Sequence, residues 1–153
     1  MVNLKLMNVL LKHKVYKFLS RFVYMKSKGT RTERELLHMF HEAGFGGIRA
    51  AGSGSTTLPA VDLIVGNVKR HLAIECKSIK GKNKFLYPED LEGLKEFSLR
   101  FGAEPWLGIR YDGKGWFFLK LESLKKNQNG NYTVSIDYAL KNGFNFDQLI
   151  RGD

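Results

Sequence analysis

The stretch VDLIVGNVKRHLAIECKSI at residues 61–79 decides how this chain folds. It contains two apolar runs, residues 61–66 and 71–79, on either side of a Gly66-Asn67 turn signal. Short runs rich in β-branched residues that meet at such a pair are typical of a β-hairpin. The stretch therefore predicts two adjacent strands, on which the other elements are expected to pack.

The second predicted strand carries charge on one of its faces. Because side chains alternate along a strand, Glu75 and Lys77 share the face opposite Ile74 and Cys76. A carboxylate and an ammonium on a strand suited to burial are costly unless they are paired or bound to a metal. Asp62 precedes Glu75 by 13 residues, so the hairpin can place both carboxylates around one cation. Two carboxylates, a backbone oxygen and waters form the kind of site that Mg²⁺ takes.

The same three residues also fit a simpler interpretation. Asp62, Glu75 and Lys77 can face solvent on an exposed hairpin, with Glu75 and Lys77 forming a weak surface ion pair. The spacing D-x(12)-E-x-K is loose, and by itself it leaves both interpretations open.

A helix and a loop are predicted before the hairpin. Residues 31–43 carry an apolar stripe at helical spacing, which stops at Gly44. Thr30 to Glu33 has the pattern of a capping box, which would make Thr30 the N-cap. A short strand near Ile48 and a Gly/Ser/Thr loop at residues 52–59 are expected to follow.

A helix, a hairpin and two short elements are predicted after the charged strand. Pro88 can start a helix that runs to about Phe101. A second hairpin is expected to turn at residues 112–115. A short strand at residues 132–136 and a helical turn near residues 146–150 complete the chain.

The positive charge of the chain is unevenly distributed. Its 25 Lys and Arg and 15 Asp and Glu give a net charge of +10, which suggests a polyanionic partner, either nucleic acid or an anionic membrane surface. Residues 1–28 hold seven bases and no acid, so residues 29–153 hold 18 bases and 15 acids. The net charge of this larger part is only +3, and bulk charge alone does not make it a nucleic-acid binder.

Residues 1–28 are predicted to be a basic amphipathic extension of one domain at residues 29–153. The longest uncharged stretch near its start, residues 6–11, is too short for a signal sequence or a membrane span. The extension can pack on the domain or its partner, contact DNA or a membrane, or lie upstream of a natural start at Met25. Cys76 is the single cysteine, which excludes an internal disulfide and predicts an intracellular protein.

The order of these motifs resembles a known family of nucleases. Asp62 and Glu75-Cys76-Lys77, after a helix that contains Glu33, look like the PD-(D/E)-x-K nuclease superfamily, with Val61 in place of the usual proline. More closely, the blocks KGTRTERELLHMFHEAGFGGIRAAGSGS, VDLIVG, IECKS and LYPEDLEGLKEFSLRFGAEPWLGIRY resemble the archaeal-type Holliday junction resolvases. The match covers about residues 28–120. It implies an α/β, restriction-endonuclease-like fold with a central mixed β-sheet flanked by helices.

The resemblance also assigns roles within the site. It implies that Glu33, Asp62 and Glu75 are catalytic and bind Mg²⁺, with Mn²⁺ able to substitute, and that Lys77 positions or activates the attacking water. The backbone carbonyl of Cys76 is expected to complete the metal site, and Glu33 to bind through water or a second metal. Glu33 also has a structural alternative, which is its place in the capping box.

Further residues are assigned to DNA contact and to a homodimer. The positions associated with junction binding are Arg34, Arg49 and Ser53, of which Ser53 is also placed among the catalytic residues, and Ser55 lies in the same loop. Lys80, Lys82 and Lys84 are expected to extend the positive surface, although a solvated lysine run also explains them. Phe97 and Phe101 match an aromatic pair at the dimer contact of the family, and packing in the monomer core is the alternative.

The predicted function is therefore that of a Mg²⁺-dependent endonuclease that resolves four-way DNA junctions by paired cuts. Its expected partners are branched DNA and a second copy of the chain, and no membrane partner is expected. One alternative is another nuclease of the same fold, such as a flap, nicking or restriction-type enzyme. The other is a junction-binding module without catalysis.

Overall fold

The computed structural model describes residues 29–51 and 57–152. The chain divides into two compact units, Met1–Arg31 and Thr32–Asp153. The predicted extension at residues 1–28 and the loop serines Ser53 and Ser55 lie outside the described residues. The described residues belong to the second unit, apart from residues 29–31.

The described residues form seven strands and four helices. Helix α1 is described from residue 29 to residue 42. It is followed by β1 (Gly46–Arg49), β2 (Leu63–Gly66), β3 (His71–Ile79), β4 (Asn83–Leu86), α2 (Pro88–Phe101), β5 (Glu104–Tyr111), β6 (Gly115–Lys120), a 3₁₀ turn (Leu121–Ser123), β7 (Tyr132–Ser135), α3 (Ile136–Asn142) and α4 (Phe146–Arg151).

The central sheet is mixed. Its five strands lie in the order β1-β2-β3-β5-β6. Strands β3 and β5 are parallel, while the β1–β2, β2–β3 and β5–β6 pairs are antiparallel. The crossover from β3 to β5 contains β4 and α2, and β4 pairs with β7 in a separate two-stranded sheet.

The two faces of the central sheet are covered by different helices. On one face, Leu72 and Ile74 pack with Leu36 and Phe40 of α1 and with Leu149 of α4. On the other face, β5 packs with α2, α3 and the small sheet through a second group of buried residues: Leu86, Leu91, Leu107, Ile109, Val134 and Ala139. The predicted α/β class, a mixed sheet flanked by helices, is confirmed.

The first hairpin forms as predicted. Leu63 pairs with Ile74 and Gly66 with His71, so residues 67–70 form the connection between the predicted runs 61–66 and 71–79. The Asn67 side chain holds this loop by accepting hydrogen bonds from the backbone N–H groups of Lys69 and Arg70 at 2.9 and 3.1 Å. The turn signal at Gly66-Asn67 therefore marks the start of the loop.

Arg70 connects this loop to two distant parts of the chain. Its Nη2 and Nε atoms donate to the two carboxylate oxygens of Glu104 at 2.5 and 2.8 Å. Its Nη1 atom donates to the Leu149 carbonyl at 2.6 Å. Arg70, Glu104 and the Leu149 carbonyl, here called the Arg70 cluster, thus fasten α4 to the start of β5.

The other differences from prediction are local. The helical conformation already includes residues 29 and 30, so Thr30 lies inside α1 and the predicted capping box is wrong. Strand β4 and helix α3 were not predicted, because the lysine-rich segment before Pro88 and the short segment after β7 carry weak periodic signals. The predicted helix at Pro88, the second hairpin, the strand near residue 132 and the final helical turn are all confirmed.

Candidate active site

Four of the five predicted catalytic residues, Glu33, Asp62, Glu75 and Lys77, line one cleft of about 1030 Å³, and the fifth, Ser53, lies outside the described residues. The residue immediately before β2, the second half of β3 and the first turns of α2 form its walls. Seven carboxylate side chains and one ammonium are among the described residues that line it: Glu33, Asp62, Glu75, Glu89, Asp90, Glu92, Glu96 and Lys77. A cleft with this excess of negative charge repels a phosphate backbone unless a cation is present.

Asp62 is fixed against β3 by its backbone and its side chain. Its backbone N–H donates to the Ile74 carbonyl at 3.2 Å, and its own carbonyl accepts from Ala50 N–H at 2.9 Å. Its Oδ2 atom accepts from the Cys76 N–H at 2.8 Å. The Asp62 carboxylate is therefore held beside the segment that carries Glu75.

Glu75 and Lys77 form an ion pair inside the cleft. The Lys77 Nζ atom lies 2.9 Å from Glu75 Oε1 and 3.0 Å from Asp90 Oδ1. The Glu75 and Lys77 side chains are only 15 and 19% exposed. The interpretation of these residues as a weakly paired, solvent-facing group is therefore wrong, because β3 is covered here by α2.

The charges in the cleft shift the pKa values of both partners. Burial and, to a smaller extent, the nearby Asp62 carboxylate raise the pKa of Glu75 to about 7, against the opposing effect of Lys77. Burial by itself lowers the pKa of Lys77, but the ion pairs with Glu75 and Asp90 outweigh this effect and raise the pKa above its usual value. Lys77 is therefore charged at neutral pH, while the ionised form of Glu75 is disfavoured and would be favoured by a bound cation.

Glu33 lies at the margin of this group and is paired with an arginine. Its Oε2 atom is 3.1 Å from Arg49 Nη1 of β1, and both side chains are mostly buried. Burial and the Asp62 charge raise the pKa of Glu33, and Arg49 and Arg34 oppose this shift. Glu33 is thus directed toward the sheet, where it contacts Arg49, and its role as a metal ligand stays a prediction.

The donor set fits a hard divalent cation, although it is not a complete cage of side chains. The Asp62 charge disfavours the ionised form of Glu75. Within residues 29–51 and 57–152, no group of three His, Cys, Asp or Glu side chains converges as metal ligands. Such a cation would thus take two carboxylates and complete its coordination with backbone oxygen and water, as small hard cations do. The Cys76 carbonyl remains the predicted backbone ligand.

The residues predicted to contact DNA differ in exposure. Arg34, Lys80 and Lys82 are exposed, whereas Lys84 is half-buried. Burial and the nearby Lys77 charge lower the pKa of Lys84, and Asp90 opposes this effect. Lys84 therefore belongs to the surroundings of Lys77 rather than to the outer lysine surface. Contact with DNA stays a prediction for Arg34 and for the three lysines.

The predicted dimer residues lie in the second half of α2. The rings of Phe97 and Phe101 stack with their centroids 5.5 Å apart. Phe97 packs against the buried residues Val61, Ala73 and Leu94, whereas Phe101 is 54% exposed and the neighbouring Leu99 is 82% exposed. Phe97 thus supports the monomer core, and an apolar surface remains at Phe101 and Leu99.

The sequence alone did not indicate Asp90 as part of the site. Asp90 is the third residue of α2, and its Oδ2 atom accepts from the Tyr87 N–H at 3.1 Å while Oδ1 contacts Lys77. The available signal was an acidic residue in the first turn after Pro88, which is common at helix starts for its interaction with the helix dipole. Its second contact follows only from the position of α2 on the sheet.

Comparisons with known proteins identify the family of this chain. Residues 24–153 match the family described as archaeal Holliday junction resolvase (Hjc). A crossover junction endodeoxyribonuclease Hjc of Archaeoglobus fulgidus is 40% identical over 104 residues, which is 68% of this chain and 76% of that protein. The protein of the same name from Sulfolobus acidocaldarius is 37% identical over 128 residues, covering 82% of this chain and 88% of that protein.

A solved structure shows the same similarity in three dimensions. The 1.6 Å structure of Archaeoglobus fulgidus Hjc, a Holliday junction resolvase from an archaeal hyperthermophile, superposes with a TM-score of 0.74 at 31% identity. The match covers 80% of this chain and 98% of that chain. The described helices of this chain include none that is both long and apolar enough to span a membrane.

Proposed function

The chain belongs to the archaeal Holliday junction resolvase family, and from that premise we propose that the cleft around Asp62, Glu75 and Lys77 is where it cuts junction DNA. The protein is a crossover junction endonuclease, as its named relatives are. One observation carries the assignment of the site: a largely buried carboxylate, Glu75, whose charge the nearby Asp62 disfavours, lies beside a charged lysine in an open cleft. Perturbed groups of this kind cluster at catalytic sites.

Asp62 and Glu75 would hold a divalent cation, which we propose to be Mg²⁺ with Mn²⁺ as a substitute. When bound, the cation supplies Lewis-acid polarisation of the phosphate and lowers the pKa of a coordinated water. Asp62 is kept in place by the Cys76 N–H. Glu75 provides the second carboxylate, and its ionised form is favoured once positive charge is near.

Lys77 acts on the other side of the reacting phosphate. Two of the three N–H donors of its ammonium are directed at Glu75 and Asp90. The third can donate to the attacking water or to a phosphate oxygen, where a fixed positive charge stabilises the negative charge that develops in the transition state. Glu33, paired with Arg49, lies close enough to Asp62 to bind a water of the metal site.

The binding surface is proposed to surround the cleft with positive charge. Arg34, Lys80 and Lys82 are exposed for phosphate contact, and Lys84 lies nearer to the cleft. Ser53 and Ser55, in the loop outside the described residues, have hydroxyl and backbone N–H groups suited to phosphate oxygens. Contacts of this kind read the shape of the backbone and carry no base sequence.

A homodimer through α2 is proposed from the exposed apolar residues Leu99 and Phe101. A four-way junction has approximate two-fold symmetry, and an isologous dimer presents one cleft to each of two strands. We expect the Phe101→Glu variant to sediment as a monomer. A dimer that survives this charge would contradict the assignment of the surface.

The basic extension at residues 1–28 is proposed to be separate from the catalytic cleft. A protein lacking residues 1–24 should cut junctions at the rate of the full chain. A large loss of cleavage in the truncated protein would place the extension in the DNA site.

Substitution of the three central residues tests the site. Asp62→Ala, Glu75→Ala and Lys77→Ala should each abolish cleavage of a labelled four-way junction and leave junction affinity largely unchanged. Glu122→Ala, at an exposed residue outside the cleft, is the matched control and should cut normally. Retained cutting by the three variants would show that the site is misplaced.

The choice of substrate tests the competing functions. The protein is compared on four-way, flap and linear duplex DNA with and without Mg²⁺. Paired symmetric cuts confined to the junction are expected. Cutting of flaps or duplex in preference would support a different nuclease of the same fold, and binding without any cutting would support a non-catalytic module.

A further inference from the structure

Asp90 contacts both the backbone at the start of α2 and the amine of Lys77. Its Oδ2 atom accepts from the Tyr87 N–H at 3.1 Å, which ties the carboxylate to the helix start. Its Oδ1 atom lies 3.0 Å from Lys77 Nζ. A side chain fixed by its own helix end loses little further rotational freedom when it binds a second group, so it is a good anchor.

The other partner of Lys77 cannot anchor it in the same way. Glu75 contacts the lysine from the same strand face, but Glu75 is also one of the two carboxylates proposed to hold the cation. A cation draws carboxylate oxygens toward itself, and the attraction that Glu75 exerts on the lysine then weakens. Asp90 is not needed for the cation and can keep contact with Lys77 throughout.

We propose that Asp90 is the positioning residue for Lys77, which it holds over the cleft while Glu75 binds the divalent cation. The importance of Lys77 for cleavage rests on the proposed function, whereas its contact with Asp90 rests on the geometry alone. Asp90 acts through Lys77 and does not touch DNA or the cation. Positioning partners of this kind affect activity by roughly 10–100-fold when removed.

Asp90→Asn is the decisive substitution, because the amide oxygen can still accept from Tyr87 N–H while the negative charge is lost. Asp137→Asn is the matched control. It removes the same charge from the first turn of another helix, α3, outside the residues that line the cleft, and the contacts of Lys77 are with Glu75 and Asp90. A third variant, Asp90→Glu, restores the charge on a longer side chain.

The first measurement separates positioning from binding. Cleavage of a four-way junction under single-turnover conditions at saturating protein should fall about 10–100-fold in Asp90→Asn. Junction affinity should change less than about twofold, Asp137→Asn should cut like the wild type, and Asp90→Glu should recover part of the loss. Equal cleavage by wild type and Asp90→Asn would overturn the proposal.

The second measurement does not depend on cleavage. In ¹⁵N-labelled protein without metal or DNA, the Lys77 ammonium should give a protected signal, identified by its loss in Lys77→Arg. Adding Mg²⁺ alone should leave that signal in the wild type and in Asp137→Asn and broaden it in Asp90→Asn. An unchanged signal in Asp90→Asn would refute the anchoring, whereas a lost signal in a protein that never cuts junctions would refute the proposed function and not the contact. Unfolding curves that match the wild type show that each variant is folded.

Discussion

Two groups of ion-paired side chains lie along β3, and they differ in how their charges balance. The Arg70 cluster, just before the first residue of β3, pairs one guanidinium with one carboxylate in a two-pronged contact. The Glu75 cluster, defined as Asp62, Glu75, Lys77 and Asp90, holds three carboxylates against one ammonium. The first is matched in charge, and the second has an excess of negative charge.

The pKa values of the two glutamates express this difference. Hydrogen bonds from Arg70 lower the pKa of Glu104 below its usual value, with burial acting in the opposite direction. Burial and Asp62 raise the pKa of Glu75 to about 7. A carboxylate whose charged form is stabilised by the fold serves structure. A carboxylate whose charged form is disfavoured by the fold is ready to bind a cation.

The largest expected effect separates activity from stability in the Glu75 cluster. Glu75→Gln keeps the shape of the side chain and removes one buried negative charge. Junction cleavage should fall about 10³-fold, which corresponds to about 4 kcal/mol in activation free energy. The free energy of unfolding without metal should stay equal or rise, because the repulsion with Asp62 is removed.

The readouts for this prediction are a single-turnover cleavage assay and urea unfolding in the presence of EDTA. A variant that loses stability by several kcal/mol would show that Glu75 is a structural partner of Lys77. The distinction between the two clusters would then fail.

The second prediction concerns the Arg70 cluster and has the opposite pattern. Arg70→Met keeps the aliphatic stem but leaves Glu104 and the Leu149 carbonyl without their donor. We expect a loss of about 2–3 kcal/mol in the free energy of unfolding. Cleavage by the folded protein should remain at the wild-type rate, since the cleft is unchanged.

The control for Arg70→Met is Arg100→Met. Arg100 forms an exposed i,i+4 pair with Glu96, with its side chain 76% exposed. Its loss should cost less than about 0.5 kcal/mol in urea unfolding. Equal losses in the two variants would mean that the Arg70 contacts contribute no more than a surface pair.

The smallest expected effect is the dependence of stability on pH, which has opposite signs in the two clusters. Because the pKa of Glu75 is raised from 4.5 to about 7, the folded protein binds more protons than the unfolded chain between these pH values. Stability should therefore fall as pH rises through this window, on the order of 1–2 kcal/mol. The lowered pKa of Glu104 contributes stability that is present above pH 4.5 and is lost as pH falls below it.

Urea unfolding between pH 3.5 and 8 in EDTA measures both windows. Glu75→Gln should reduce the loss of stability above pH 4.5 without abolishing it, because the pKa of Glu33 is also raised. Arg70→Met should reduce the loss of stability at acid pH. A divalent cation should stabilise the wild type most at the upper end of the pH range. Stability that rises between pH 5 and 8 in the wild type without metal would contradict the charge balance proposed for the Glu75 cluster.

Local patterns were enough to predict most of the elements. The alternation of side chains placed Glu75 and Lys77 on one face of β3, and Pro88 marked the first residue of α2. Strand β4 was missed because residues 83–86 give only a weak alternating signal. Their pairing with residues 132–135 joins distant parts of the chain. The loop at residues 67–70 follows from the predicted runs on either side of it, whereas the hydrogen bond from the Arg70 N–H to the Asn67 side chain is known only from the structure.

The sequence by itself determined the α/β class, the first hairpin, the family and the identity of the carboxylates and the lysine. These properties depend on periodicity and on motifs within short segments. Only the tertiary structure decided that α2 covers the charged face of β3, that Asp90 binds Lys77 and that Arg70 fastens α4. Each of these contacts joins residues 13 to 79 positions apart, and the burial that shifts the pKa of Glu75 exists only once the helix has packed on the sheet.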